Sequence, residues 1–365
     1  MDISTTILSC ADLVKNIRRD LHKIPEASCF EIKTQNYICE FLDRLNLSYT
    51  KIETGVVVDI KGSNPTKTIG LRADIDALAI AEKNDCSYKS SHNGFMHACG
   101  HDGHTAMLLA AIDIFTKNPP KQNVRAIFQF GEEGAGGAEI MIKQGALDGV
   151  DEIYAIHLDP SLDVGVFATR EGAMMAGTEE LEINFYGKSA HCAEPYNGIN
   201  ALKPLADLIA GSDKIAPKNS LFHVGKIVGG TACNAIASHA KANATIRYFD
   251  TKDKISAYEN LNLCLKAANK KHGTTVDIKK TASYPPVVNT KLAIQTVKKL
   301  LPNLIEKQQT FTAEDFAFYT QKIDGALVWL GTKTDKHFAP LHADTFDFDE
   351  SVLLYGVQFF YELVS

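Results

Sequence analysis

No stretch of this chain approaches the roughly 20 apolar residues that span a bilayer. Its start, MDISTTILSCADLVKNIRRD, has no long apolar core after a basic region, so no export signal is visible. Basic residues are in deficit: 38 Lys and Arg stand against 44 Asp and Glu, for a formal net charge of −6 and a pI near 6.1. That balance counts against nucleic acid as a partner, because phosphate binding needs clustered Lys and Arg. The eight cysteines include no CxxC pair and are scattered: Cys10, Cys29, Cys39, Cys86, Cys99, Cys192, Cys233 and Cys264. That is no disulfide framework, and the expectation is reduced thiols in a cytoplasm with no membrane association. Internal repeats and low-complexity tracts are absent too.

What remains is an ordinary globular composition, 45% apolar and 22% charged over 365 residues, long enough for one large domain or two. Apolar spacing predicts helices over 11–23 and 34–45. Strands over 56–60, 68–73, 124–130 and 153–158 then alternate with helices over 103–115 and 136–144, the mark of an α/β layer with a mostly parallel sheet. From residue 179 the order becomes strand, helix, two strands, helix, strand, a ferredoxin-like arrangement. An inserted α+β domain is therefore expected at 177–286, with 1–176 and 287–365 forming the main domain. A strand over 326–331 returns to that main sheet, and 346–350 is read as the start of the last helix.

Chemistry-bearing residues cluster where the predicted strands end, the place where open α/β sheets bind ligands. MHACGHDGHTAML puts Cys99 and His101 two apart, with His97, Asp102 and His104 around them. Thiolate, imidazole and carboxylate hold zinc and similar ions, although the same stretch can be a polar turn with a buried Cys and a capping Asp. Glu132 and Glu133 leave the next strand side by side, so that one can bind metal while the other moves protons; an isolated pair is more simply a solvated turn. His157 ends a third strand, His342 precedes 346–350, and Asp74 and Asp76 close the strand RADID, where they can orient metal-bound histidines or cap a helix. Each is weak alone, and their convergence on one sheet edge favours a metal site.

Taken together, RADIDAL, MHACGHDGHTAMLLAA, FQFGEEGAGGA, IHL, GKSAHCAEP, GGTACNAI, TIR, EDFAFY and LHADTFDFDE resemble the M20 metallopeptidases, in matching order from about Arg18 onward. The likeness is to the aminoacylase, hippurate hydrolase and auxin-conjugate hydrolase branch. It implies a catalytic α/β domain interrupted by a ferredoxin-like lid, and two divalent ions (zinc, manganese, nickel or cobalt) held by Cys99, His101, Glu133, His157 and His342. It further implies Glu132 as general base, Asp76 as the carboxylate that orients a ligand, and His191 as the lid donor to the oxyanion. In dimeric members of the family that donor reaches the partner's site, so a homodimer through the lid is part of the expectation. Asn234 and Arg247 match positions that hold the substrate carboxylate, a task suited to the planar fork of Arg.

The expected reaction is hydrolysis of the amide of a small N-acyl amino acid. Its rivals are a dipeptidase or aminopeptidase on the same scaffold and a catalytically silent carboxylate-binding protein. Departures from the family pattern are Phe130 and Gly131 before the glutamates, Ala79 after DAL, Ala237 in place of a proline, and Ala343-Asp344 after His342. None removes a ligand, and Phe130 and Asp344 bear on the shape of the pocket.

Overall fold

The chain opens with a short helix, α1 (Thr5–Leu8), capped by Ser4, whose hydroxyl accepts from Ile7 N. Helices α2 (Ala11–His22) and α3 (Ile32–Arg44) bury Val14, Ile17 and Leu21, and Ile38, Phe41 and Leu42, at the spacing of an amphipathic helix. There follow β1 (Tyr49–Ile52), β2 (Gly55–Ile60), β3 (Thr68–Asp74), α4 (His101–Lys117), β4 (Asn123–Gln129), α5 (Gly137–Lys143), β5 (Glu152–Asp163), β6 (Phe167–Thr169) and β7 (Gly172–Met175). Next come β8 (Gly177–Tyr186), α6 (Leu202–Ala210), β9 (Ser220–Gly229), β10 (His239–Tyr248), α7 (Thr251–His272), β11 (Thr275–Tyr284) and β12 (Val287–Asn289). The chain ends with α8 (Lys291–Leu300), β13 (Ile305–Glu306), α9 (Ala317–Thr320), β14 (Asp324–Lys333) and α10 (Val352–Val364).

The computed structural model describes residues 2–134 and 136–365. The chain divides into a first unit, Met1–Gly172 with Val288–Gln308 and Asp315–Ser365, and a second, Ala173–Val287 with Gln309–Glu314.

In the first unit eight strands form one sheet in the order β1-β2-β4-β3-β5-β14-β6-β13. Its centre, β4-β3-β5-β14, is parallel, while β1–β2, β2–β4 and β14–β6 are antiparallel. Helix α4 is buried along its length from His101 to Phe115, which explains why its apolar residues circle the whole helix rather than one stripe. Register decides what the sheet presents at its edge. Asp74 pairs with Gln129, Trp329 pairs with His157, and Arg72 pairs with Ala155, two residues before Asp74 and His157. Gln129, Asp74, His157 and Trp329 thus stand at one level across four neighbouring strands.

The second unit is built as β8-α6-β9-β10-α7-β11, with an antiparallel sheet ordered β11-β8-β10-β9. Alternate residues of β10, from Ala240 to Tyr248, are buried, as a sheet with one solvated face requires. Leu205 and Leu208 of α6 and Leu261 and Leu265 of α7 share their core with Ile183, Phe185 and Ile246.

Three local expectations need correction. Helix α4 starts at His101, two residues before the predicted start, because Gly100 takes a left-handed φ of 87° and turns the chain directly into the helix. Strand β5 continues to Asp163, so His157 lies within it rather than at its end. Residues 346–350 do not begin α10, which starts at Val352; Asp347 and Glu350 are instead drawn to Arg18 and Arg19.

Candidate metal centre

Cys99 is buried in the turn that enters α4, and His101 is the first residue of the helix. Ala98 accepts a hydrogen bond from His342 N at 2.8 Å, which ties the loop of His342, a residue with φ 65°, to this turn. Cys99 Sγ lies 3.6 Å from His157 Nε2. His342 Nε2 lies 3.3 Å from Glu133 Oε1. One ligand atom from each of Cys99, His101 and His157 falls within 4.8 Å of the others, and the same holds for Cys99, Glu133 and His342 and for His101, Glu132 and Glu133. Cys99 belongs to two of these triplets, the arrangement in which one thiolate can serve two ions.

The ring nitrogens are set for coordination. His101 Nδ1 is held by Asp76 through its carbonyl at 3.0 Å and Oδ1 at 3.2 Å, while the buried Nε2 has no hydrogen-bond partner. His157 Nδ1 donates to Leu158 O at 2.8 Å, leaving Nε2 turned to Cys99. An imidazole whose far nitrogen is fixed by a carboxylate or carbonyl is the usual form of a metal-binding histidine. An orphaned buried imidazole nitrogen beside a thiol and carboxylates therefore fits a divalent ion of the zinc, nickel or cobalt kind.

Burial pushes the Cys99 thiol well up, an effect His101 only partly offsets. Burial also lowers the His157 imidazole to about 4, so it is neutral at pH 7. For His101 burial acts downward, but Asp74 and Cys99 outweigh it and hold the ring well above its ordinary value.

Asp76 does more than orient His101. Its Oδ2 accepts from Glu133 N at 2.9 Å and from Ser28 Oγ at 2.5 Å. Glu31, also buried, accepts from Gly131 N at 2.9 Å and from Thr54 Oγ1. Two carboxylates thus grip the backbone on either side of Glu132. Sequence reasoning gave Ser28 and Glu31 no part, since the groups they meet are 48 and 100 residues away. Behind the turn, Arg72 joins Asp74 (2.6 Å), Asp315 (3.0 Å) and Gln129 (2.9 Å) in a buried network. Phe130 is buried, and Asp344 is drawn into an ion pair with Lys83 at 2.6 Å.

Residues 70–365 match the sequence pattern of peptidase family M20/M25/M40. The chain belongs to that family. N-acetyldiaminopimelate deacetylase of Priestia megaterium is 35% identical over 335 residues, 87% of this chain and 89% of that protein. N-acetyl-L-cysteine deacetylase of Bacillus subtilis is 33% identical over 360 residues, 95% of this chain and 86% of its own length. The Bacillus subtilis YXEP protein, a dinuclear metal-binding peptidase of the M20 family, superposes with a TM-score of 0.87 at 30% identity, covering 98% of each chain.

In this M20 chain the remaining predicted residues, His191, Asn234 and Arg247, lie in the second unit. His191 is exposed and bridges to Ala235; Ala193 N donates to its Nδ1 at 3.1 Å, which leaves Nε2 as the N–H donor. Asn234 is exposed, with its backbone carbonyl accepting from Cys192 N at 2.9 Å. Arg247 is half-buried on β10, with Nη2 3.4 Å from Glu180 Oε1.

Proposed function

We propose that this M20 chain is a metal-dependent amidohydrolase that removes the acyl group from small N-acyl amino acids. The observation that carries this reading is the ring of thiol, imidazole and carboxylate groups around Cys99, in which His101 Nε2 is buried without a hydrogen-bond partner. Two divalent ions bound there supply Lewis-acid polarisation of the acyl carbonyl and of the attacking water. Cys99, His101, Glu133, His157 and His342 are assigned as their ligands, with Asp76 holding His101. Thiolate and imidazole favour zinc, nickel or cobalt, and manganese stays within reach of the carboxylate donor.

Glu132 is assigned as general base: it takes a proton from water as the acyl carbon is attacked and returns it to the departing amine. Its neighbours suit the task, because Glu31 and Asp76 fix the backbone before and after it. His191, through Nε2–H, is assigned to the oxyanion, where charge grows in the transition state, and Asn234 and Arg247 to the substrate carboxylate. The deacetylase names of the relatives point to acetyl as the first acyl group to try.

Glu132→Gln tests the core of the assignment. It is expected to leave metal content unchanged and to lower turnover by about 10²–10⁴-fold, the usual contribution of a positioned base. Near-normal turnover removes Glu132 from the role.

Two further readings belong here. All eight cysteines are free thiols, which fits a reducing compartment, and the cytoplasm is proposed on that ground; no helix among the described residues is long and apolar enough to cross a membrane. Strand β9 lies at the edge of the second unit's sheet and exposes Leu221, Ile227 and Val228. An apolar open edge of this kind invites pairing, and a homodimer through it is proposed. Light scattering that gives a monomer mass contradicts this.

A further inference from the structure

The stretch Gly100-His101-Asp102-Gly103-His104 holds more chemistry than the assigned ligands use. His104 is buried among the same rings, its centroid 4.9 Å from that of His157 and 5.5 Å from that of His101. It groups with Asp74 and His101 closely enough to be taken for a ligand. Both of its nitrogens are engaged within the protein, however. Nδ1 donates to Asp74 Oδ1 at 2.6 Å, and Nε2 accepts from Leu158 N at 3.0 Å. Asp74 in turn spends Oδ2 on Arg72 Nη1 at 2.6 Å. To bind an ion, His104 would have to strand the buried Leu158 N–H.

Leu158 is the neighbour of His157, and its carbonyl accepts from His157 Nδ1 at 2.8 Å. One residue is thus held by two histidines, through its N–H by His104 and through its C=O by His157. Its side chain is seated by the same segment. A Cβ placed on Gly100 would come 3.0 Å from Leu158 Cδ1, and one on Gly103 would come 3.1 Å from it. The glycines on either side of His101-Asp102 make the groove in which Leu158 lies.

We propose that His104 is a positioning residue of the metal centre: together with Gly100 and Gly103 it seats Leu158, and so sets His157 Nε2 against Cys99. Asp74 fixes the tautomer that makes this grip available. The proposal rests on the assignment of His157 as a ligand made above.

The test is cobalt titration of the metal-stripped wild type, His104→Asn and His104→Gln, followed by absorption spectroscopy, with far-UV circular dichroism to confirm folding. Asparagine keeps a donor near Asp74 but cannot reach Leu158 N; glutamine can carry an acceptor to it. The Asn variant is expected to bind one cobalt ion about 10–100-fold more weakly, the usual effect of losing a group behind a ligand, with an altered cobalt spectrum and partial recovery in the Gln variant. Affinities within about twofold of wild type and unchanged spectra in both variants overturn the proposal. Should neither variant fold, wild-type protein with ¹⁵N-labelled histidine and bound ¹¹³Cd decides: cadmium coupling is expected on the assigned ligands His101, His157 and His342, and coupling on His104 overturns it. A wild type that binds no ion removes the functional reading and this proposal together, whereas a binding wild type with unaffected variants removes the proposal alone.

Discussion

Replacing Arg18 with Met should destabilise the protein by about 3 kcal/mol, although Arg18 is none of the assigned ligands. Its guanidinium is fully buried and reaches Asp102 Oδ2 at 2.9 Å, Asp347 Oδ1 at 2.7 Å and Glu350 Oε1 at 3.4 Å. It also stacks over Phe348, 4.4 Å from the ring centre, and Tyr88, at 4.8 Å. The three carboxylates are unequal once the cation is gone. Glu350 keeps Arg19, and Asp347 keeps the Tyr88 hydroxyl at 2.8 Å; both retain some access to water. Asp102 has none: its Oδ1 is already without a partner, and its Oδ2 is left with His22 alone at 2.7 Å. Breaking a buried pair costs about 3–5 kcal/mol because an uncompensated charge remains. The surviving His22 bond places the loss at the lower end, roughly 100-fold in the folding equilibrium. Denaturant unfolding of metal-stripped wild type and variant measures it without a contribution from ion binding. Arg18→Lys should rescue little, since a point charge cannot reach three carboxylates and stack. A loss below about 1 kcal/mol, the range of an exposed pair, would refute the reasoning.

Two further predictions concern charge and metal. Burial raises the Glu179 carboxyl, but Lys254, Ser283 and Lys280 outweigh it, and its folded value lies below that of an ordinary glutamate. Its contribution is therefore present above the unfolded value of about 4.3 and lost as pH falls through the lower folded value. Glu179→Gln should thus cost stability at pH 7 and progressively less below about pH 4, measured as urea midpoints across that range; a deficit independent of pH contradicts this. Cys99→Ala should lower metal content per chain by elemental analysis after dialysis, and wild-type content would defeat the assignment of Cys99.

What could be read from the sequence follows from the range of the forces involved. The helical spacing of α2 and α3 is a local signal, and it places those elements within a residue or two. The strand-end motifs converge because register carries Gln129, Asp74 and His157 to one level, an outcome that the α/β pattern already implies. What failed was longer in range or finer in conformation. The start of α4 depends on the left-handed Gly100, and a pattern that counts apolar residues passes over it. Residues 346–350 look helical because they are acidic and precede an apolar run, yet Asp347 and Glu350 answer to arginines more than 300 residues earlier. The two-residue strand β13 pairs only at the sheet's far edge and leaves no periodicity to detect. His104 was visible in its motif, but its task is defined by Leu158, 54 residues on.

The most direct test of the central claim is amine release from a panel of N-acyl amino acids and dipeptides. The wild-type protein would be stripped and reloaded separately with zinc, manganese, cobalt or nickel. The account predicts release from N-acyl amino acids, beginning with the acetyl compounds, only when a divalent ion is restored. Release from dipeptides alone, or release undiminished in the stripped protein, would contradict it.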